Sequence, residues 1–164
     1  MKRLLTLLAA CIAACAATAQ SRIETFTFRS ALLGAEKTCS VYLPAGYDDS
    51  GRSYPVLYLL HGASGYHGDW AEKGNMRQIA DETIAAGTAL PMIVVMPDAS
   101  GTGENYTGDR MGYFDVPGWP YERFFFEEFV PAVERRYRIC GDKARRAISG
   151  LSMGGGGTAV YALR

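Results

Sequence analysis

The residues with the clearest chemical potential form a run near the end of the chain, Ala147-Ile148-Ser149-Gly150-Leu151-Ser152-Met153-Gly154, followed directly by Gly155, Gly156 and Gly157. A Gly-x-Ser-x-Gly pattern between an apolar strand and a helix holds its serine on a sharp, strained turn. The positions two before and two after must then be tiny, and here both are glycine. The turn lifts the hydroxyl above the sheet edge, where Ser152 is a candidate nucleophile for acyl transfer. The first N–H groups of the following helix favour negative charge developing beside it. Each glycine in a helix costs up to ~1 kcal/mol relative to Ala, so four in a row need a packing reason. Gly155 to Gly157 are expected to let the helix press against neighbouring strands. The pattern is short, and a glycine-rich loop with an incidental serine is the competing reading. A phosphate-binding loop fits worse, because no Lys-Ser/Thr follows the glycines.

A second feature lies upstream, in Leu59-Leu60-His61-Gly62-Ala63-Ser64-Gly65 at the end of an apolar run. An oxyanion hole draws one N–H from the residue after the nucleophile and one from the loop after such a strand. Met153 N–H is the first candidate and Ala63 N–H the second, with Gly62 allowing close backbone approach. His61 belongs to the loop shaping the hole, so it is read as a structural histidine bonded to nearby backbone and not as the general base. His67 is read as a loop residue at the mouth of the cleft.

These residues need a frame. Ile23–Ser30 and Lys37–Pro44 alternate apolar and polar residues and are expected to pair antiparallel. Val56–Leu60, Met92–Met96 and Ala144–Gly150 read as buried strands. Met76, Ile79, Ala80, Thr83 and Ile84 fall at helical spacing, with Gly87 as a C-terminal stop. Tyr121, Phe125, Phe129 and Val133 mark a helix through about Tyr137, with a kink or helix start expected near Pro131. Asp98–Pro120 reads as a long irregular segment. Strands alternating with helices require right-handed crossovers and one α/β domain with a mostly parallel sheet.

Charge and composition narrow the function. Lys+Arg and Asp+Glu both number 17 in 164 residues, so no basic field points to nucleic acid. Residues 1–19 have Lys2 and Arg3, an apolar run, and Ala17-Thr18-Ala19, the pattern of a secretory signal peptide. The run is short for a membrane span; Ile12-Ala13-Ala14-Cys15 also resembles a lipobox, so a membrane role enters only through lipid on Cys15. Cleavage after Ala19 leaves residues 20–164, with 15 basic against 17 acidic residues and a net charge of −2. Cys39 and Cys140 remain, as a disulfide pair or as inert thiols. No metal or organic cofactor is indicated.

Four ordered blocks now resemble a known family: Tyr54–Trp70, Met92–Ser100, Tyr121–Arg138 and Arg145–Gly155 are similar to the esterase D-like branch of the α/β-hydrolases. That branch includes feruloyl and acetylxylan esterases, S-formylglutathione hydrolases, enterochelin esterases and mycolyltransferases. The resemblance covers about Lys37 to the end. It implies an α/β-hydrolase fold with Ser152 as nucleophile and Met153 and Ala63 as backbone oxyanion donors. In such enzymes the triad runs Ser, then Asp or Glu, then His, yet none of the twelve residues after Ser152 is Asp, Glu or His. The chain therefore reads as the N-terminal part of an esterase domain, truncated after the nucleophile elbow and expected to be inactive alone. The full protein is expected to be a periplasmic or secreted serine esterase acting on acylated plant polysaccharide. Tyr106, Tyr113, Phe114, Trp119 and Trp70 are candidates to stack on a sugar or phenolic acyl group, or to pack the loop. Asp109 and Asp115 read as solvated loop carboxylates. An exported acyltransferase and a non-catalytic carbohydrate-binding protein are the rival readings.

Overall fold

A computed structural model describes residues 19–101 and 112–164. The N-terminal segment read as a signal peptide lies outside them except for Ala19, as do Tyr106 and Asp109. Strands β1 (Arg22–Arg29) and β2 (Glu36–Leu43) form the expected antiparallel pair. A short helix α1 (Tyr47–Ser50) interrupts the turn-rich stretch before β3 (Val56–Leu60). Helices α2 (Asp69–Glu72) and α3 (Met76–Ala85) lead to β4 (Ile93–Pro97). Gly87, at φ 72°, takes the left-handed conformation that stops α3. The segment expected to be irregular contains a small hairpin, β5 (Asp115–Val116) and β6 (Trp119–Pro120). Asp115 accepts the N–H groups of Glu122 (2.8 Å) and Arg123 (3.2 Å), capping the next helix, so this carboxylate has a local duty.

That helix begins as α4 (Tyr121–Phe124), widens into one π turn over Phe125–Phe129, and continues as α5 (Val130–Arg136). The expected disturbance near Pro131 takes this form: Pro131 sits in the first turn after the wide segment, where its missing N–H is tolerated. The π turn adds a residue to the helical repeat, so Phe124, Phe125 and Phe129 all face the core. Strand β7 (Arg146–Gly150) and helix α6 (Met153–Tyr161) end the chain.

The main sheet has the order β1-β2-β4-β3-β7. Strands β4, β3 and β7 run parallel and β2 joins β4 antiparallel. One face carries Val41, Val56, Tyr58, Leu60 and Val95 against Phe125, Phe129, Val133 and Tyr161. The other carries Tyr42, Val94 and Met96 beneath α3 and Trp70. This three-layer build explains why β3 and β4 read as continuously apolar. Cys39 is buried in the core and Cys140 is half-buried; both are free thiols, so no disulfide links them.

Among the described residues β7 has a strand neighbour on one side only, and Ala147 and Ser149 are exposed along it. An open edge is a template for self-association. Ala147→Lys should therefore keep the 164-residue chain monomeric to higher concentration with little change in melting temperature, as read by light scattering alongside calorimetry.

Candidate active site

The site forms where two parallel strands end together. β3 and β7 pair through Leu60 opposite Gly150, and Leu151 N–H donates to the Leu60 carbonyl at 3.2 Å. The turns beyond them adjoin: a Cβ placed on Gly62 would lie 3.5 Å from the Leu151 carbonyl oxygen. Ala63 and Met153 thus leave the sheet at the same end, each three residues past a paired position.

Ser152 occupies the reversal from β7 into α6 with φ 51° and ψ −111°. Such backbone is sparsely populated by non-glycine residues and costs of order 1–3 kcal/mol. Its surroundings impose it. A Cβ on Gly150 would meet the Gly154 carbonyl group at 2.5 Å, and one on Gly154 would meet the Leu60 oxygen at 2.6 Å and the His61 oxygen at 2.7 Å. Both flanking glycines are therefore required by backbone contact. The expectation for the glycines behind them needs correction. Gly157 is tight, with a Cβ 2.9 Å from the Tyr113 ring, whereas Gly155 would have its nearest neighbour at 3.4 Å and Gly156 at 3.9 Å. Those two have room for a methyl group.

Ser152 is exposed, and Met153 is the first residue of α6. Its N–H belongs to the first turn, which has no intrahelical acceptor and carries the positive end of the helix dipole. Ala63 lies in a turn closed by Gly65 N–H donating to the Gly62 carbonyl at 3.2 Å, with Ser64 at φ 60°. That same carbonyl lies 2.7 Å from His61 Nδ1. Because the peptide is planar and trans, anchoring the Gly62 oxygen on one side directs the Ala63 N–H to the other. Ala63 is exposed.

His61 is 1% exposed, and its second ring nitrogen is also engaged, with Nε2 accepting the Ala99 N–H at 2.9 Å. A ring that accepts at Nε2 must carry its proton on Nδ1, so His61 donates to Gly62 and is neutral. Burial lowers its pKa. The reading of His61 as structural holds. His67 is tied back to β2, its Nδ1 2.8 Å from Ser40 Oγ, and burial lowers its pKa as well. With both ring nitrogens engaged, His61 is not free to accept a proton from Ser152, and His67 is held to β2 through Nδ1.

For two of the aromatic candidates the packing alternative holds. Trp119 is 1% exposed and Tyr113 is fully buried, the latter donating from its hydroxyl to the His61 carbonyl at 3.2 Å. Their large apolar surfaces are spent on the core. Phe114 stays exposed beside Gly156. Trp70 is half-buried and lines a pocket of about 180 Å³ with His61, Gly62, Asp69, Lys73 and the largely exposed Leu151. The reading from sequence missed the turn Asp98-Ala99-Ser100, whose amide fixes the His61 tautomer. Among the described residues no group of three or more His, Cys, Asp or Glu could hold a metal ion.

The model of the Esterase family matches residues 30–164. The chain belongs to the Esterase family. It is 36% identical over 146 residues to an endo-1,4-beta-xylanase/feruloyl esterase of Xylanibacter ruminicola, covering 87% of this chain and 20% of that protein. It is 32% identical to Esterase Rv1288 of Mycobacterium tuberculosis, covering 87% of this chain and 29% of that one. Among solved structures, a ferulic acid esterase superposes with TM-score 0.81 at 44% identity, over 87% of this chain and 53% of its own. An S-formylglutathione hydrolase from Agrobacterium tumefaciens superposes with TM-score 0.71 at 28% identity, over 87% and 53%. The Esterase chain thus shares the α/β fold of these enzymes and spans about half the length of the solved ones.

Two outcomes follow. Gly154→Ala should cost about 3 kcal/mol or more, because a methyl group would overlap two backbone oxygens. Gly156→Ala should gain up to about 1 kcal/mol from helix propensity; paired urea denaturation curves check both. For pH, both histidines have folded pKa values below the unfolded value of about 6.5, so the unfolded chain binds the extra proton. Their contribution to stability is full above pH ~6.5 and is lost as pH falls from there toward the folded values. Denaturation at pH 7.5 and at about 5.5 should show lower stability in acid, and a proton NMR titration should place the His61 midpoint below 6.5.

Proposed function

We propose that this chain carries the nucleophile and oxyanion hole of an exported serine carboxylic-ester hydrolase acting on feruloyl or acetyl esters of polysaccharide. The observation that carries the reading is the backbone of Ser152, forced to φ 51° between two glycines that contact bare backbone. Strain at one exposed serine has a use if its hydroxyl must stand clear of the sheet. In this reading Ser152 Oγ attacks the ester carbonyl carbon and loses its proton to a general base. The carbonyl oxygen becomes an oxyanion held by the N–H groups of Met153 and Ala63. Collapse of that intermediate releases the alcohol and leaves an acyl-serine, and water then releases the acid and frees Ser152. His61 is engaged through both ring nitrogens and His67 is held to β2 through Nδ1. In the chain order Ser, acid, His the base follows the nucleophile, so in this reading the base is assigned to residues beyond Arg164. Without it Ser152 is a weak nucleophile, and the 164-residue chain is expected to be inactive alone.

The substrate class is favoured by the relatives, one of which joins xylanase and feruloyl esterase in its name. A solved ferulic acid esterase from Anaeromyces mucronatus, 28% identical with TM-score 0.67, holds ferulic acid. Export is supported by the Lys-Arg start and Ala17-Thr18-Ala19. Among the described residues no helix is long and apolar enough to cross a membrane.

A fluorophosphonate probe applied to the full-length protein tests the assignment. It should label Ser152, Ser152→Ala should abolish the label, and the protein should release ferulate or acetate from acylated xylan. Transfer of the acyl group to an added alcohol without free acid would instead identify an acyltransferase. A folded protein that binds the polysaccharide but takes no label at Ser152 would be a binding module.

A further inference from the structure

Lys37 stands at a position of β2 whose side chain points into the core, in step with Cys39, Val41 and Leu43. It is 5% exposed. Taking an ammonium out of water is strongly unfavourable unless its environment compensates. Here Nζ donates to the Ser100 carbonyl at 2.8 Å, lies 3.7 Å from Asp98 Oδ1, and stands 5.7 Å from the Trp119 ring centroid. Burial still lowers the Lys37 pKa, with Asp98 opposing that shift. An aliphatic residue would serve the core more cheaply, so the cation needs another reason to be there.

The groups it holds supply one. Asp98 Oδ1 accepts the Ser100 N–H at 2.7 Å and also the Ser100 hydroxyl. The Asp98 carbonyl accepts the Tyr121 hydroxyl at 2.7 Å, and the Ala99 carbonyl accepts the Gly112 N–H at 2.9 Å. The turn after β4 is thereby fixed on several sides, leaving the Ala99 N–H aimed at His61 Nε2.

We propose that Lys37 and Asp98 are positioning residues for the oxyanion loop. They hold the 98–100 turn so that Ala99 keeps His61 in its Nδ1–H tautomer, and that proton anchors the Gly62 carbonyl and turns the Ala63 N–H into the cleft. The catalytic part of this inference rests on Ala63 being an oxyanion donor; the part concerning the histidine does not. Without the ammonium, the turn keeps the β2–β4 pairing that ends at Pro97 but loses its side-chain tie to β2, and His61 loses its fixed donor. The imidazole can then take the Nε2–H tautomer, which has no hydrogen to offer Gly62 from Nδ1. The Gly62–Ala63 peptide keeps one anchor in place of two.

Lys37→Met and Asp98→Asn in the full-length protein test this. The first keeps the unbranched stem and removes the charge; the second keeps the side-chain volume and removes the anion, and it carries the test if the first does not fold. Long-range ¹⁵N NMR reads the imidazoles directly. His61 should show a single Nδ1–H pattern in the parent and a second tautomer in each variant. On p-nitrophenyl acetate, kcat should fall about tenfold or more with KM changed less than about twofold, the split expected when transition-state stabilisation alone is lost. Folded variants that keep the parental His61 tautomer overturn the proposal. Variants with a changed tautomer and an unchanged kcat overturn its catalytic part. A tautomer change in the variants of a full-length parent that itself hydrolyses no ester upholds the hold on His61 and overturns the hydrolase reading instead.

Discussion

The N-terminus of α6 rests on the end of β3 through bare backbone. Gly154 lies against the carbonyl oxygens of Leu60 and His61, and Gly150 lies against Gly154. No side chain fits between these segments, so the chain must turn from β7 into α6 within the two residues Leu151 and Ser152. That shortage of space sets the unusual dihedral angles of Ser152. The strain, of order 1–3 kcal/mol, is offset by the packing of both partners: Leu60 is fully buried, and Tyr161 at the far end of α6 packs on Phe125 at 4.7 Å between ring centroids. A serine here is exposed because everything around it is fixed, and a looser turn would let the hydroxyl fold back.

The same end of the sheet gathers the second turn. Parallel pairing of β3 and β7 in register means that whatever follows Leu60 stands beside whatever follows Gly150. The two candidate donors come from main chain and not from side chains, so their positions follow from the sheet and the helix and need little further ordering when charge develops. The buried aromatics act at one remove. Tyr113 holds the His61 carbonyl, and Tyr121 holds that of Asp98.

Much of this was legible in residue order. Gly150 and Gly154 announced the turn because only a missing Cβ permits the contact, and the strands of the main sheet, α3 and the α4–α5 helix lie within one or two residues of their expected bounds. Other features were hidden for physical reasons. Gly155 and Gly156 look like Gly157 in sequence, yet only the last meets a ring. Trp119 and Tyr113 sit in a glycine-rich stretch that suggests an open loop, and their burial depends on strands and helices distant in sequence. The role of Asp98–Ser100 depends on contacts reaching across the sheet ends. Lys37 did leave a signal: the two-residue period of β2 places it with Cys39, Val41 and Leu43 on the core face. A cation breaking an apolar stripe asks for a partner, and Asp98 and Ser100 are there to meet it.

The two halves of the site differ in how they are held. Met153 N–H is aimed by the helix it begins, so its direction is secured by the hydrogen bonds of the following turns, such as Gly156 N–H to the Ser152 carbonyl at 3.1 Å. Ala63 N–H has no helix behind it. Its turn includes Ser64 at φ 60°, a conformation that non-glycine residues adopt at a cost, and by itself such a turn has alternatives close in energy. A connected set of polar groups stands behind this less secure half: His61, Ala99 N–H, the half-buried Asp98, Ser100 and Lys37 link the turn to β2. Buried polar groups cost desolvation wherever they stand. The linking of a buried cation and a buried imidazole behind one turn is accounted for if the direction of a single peptide N–H is what they secure.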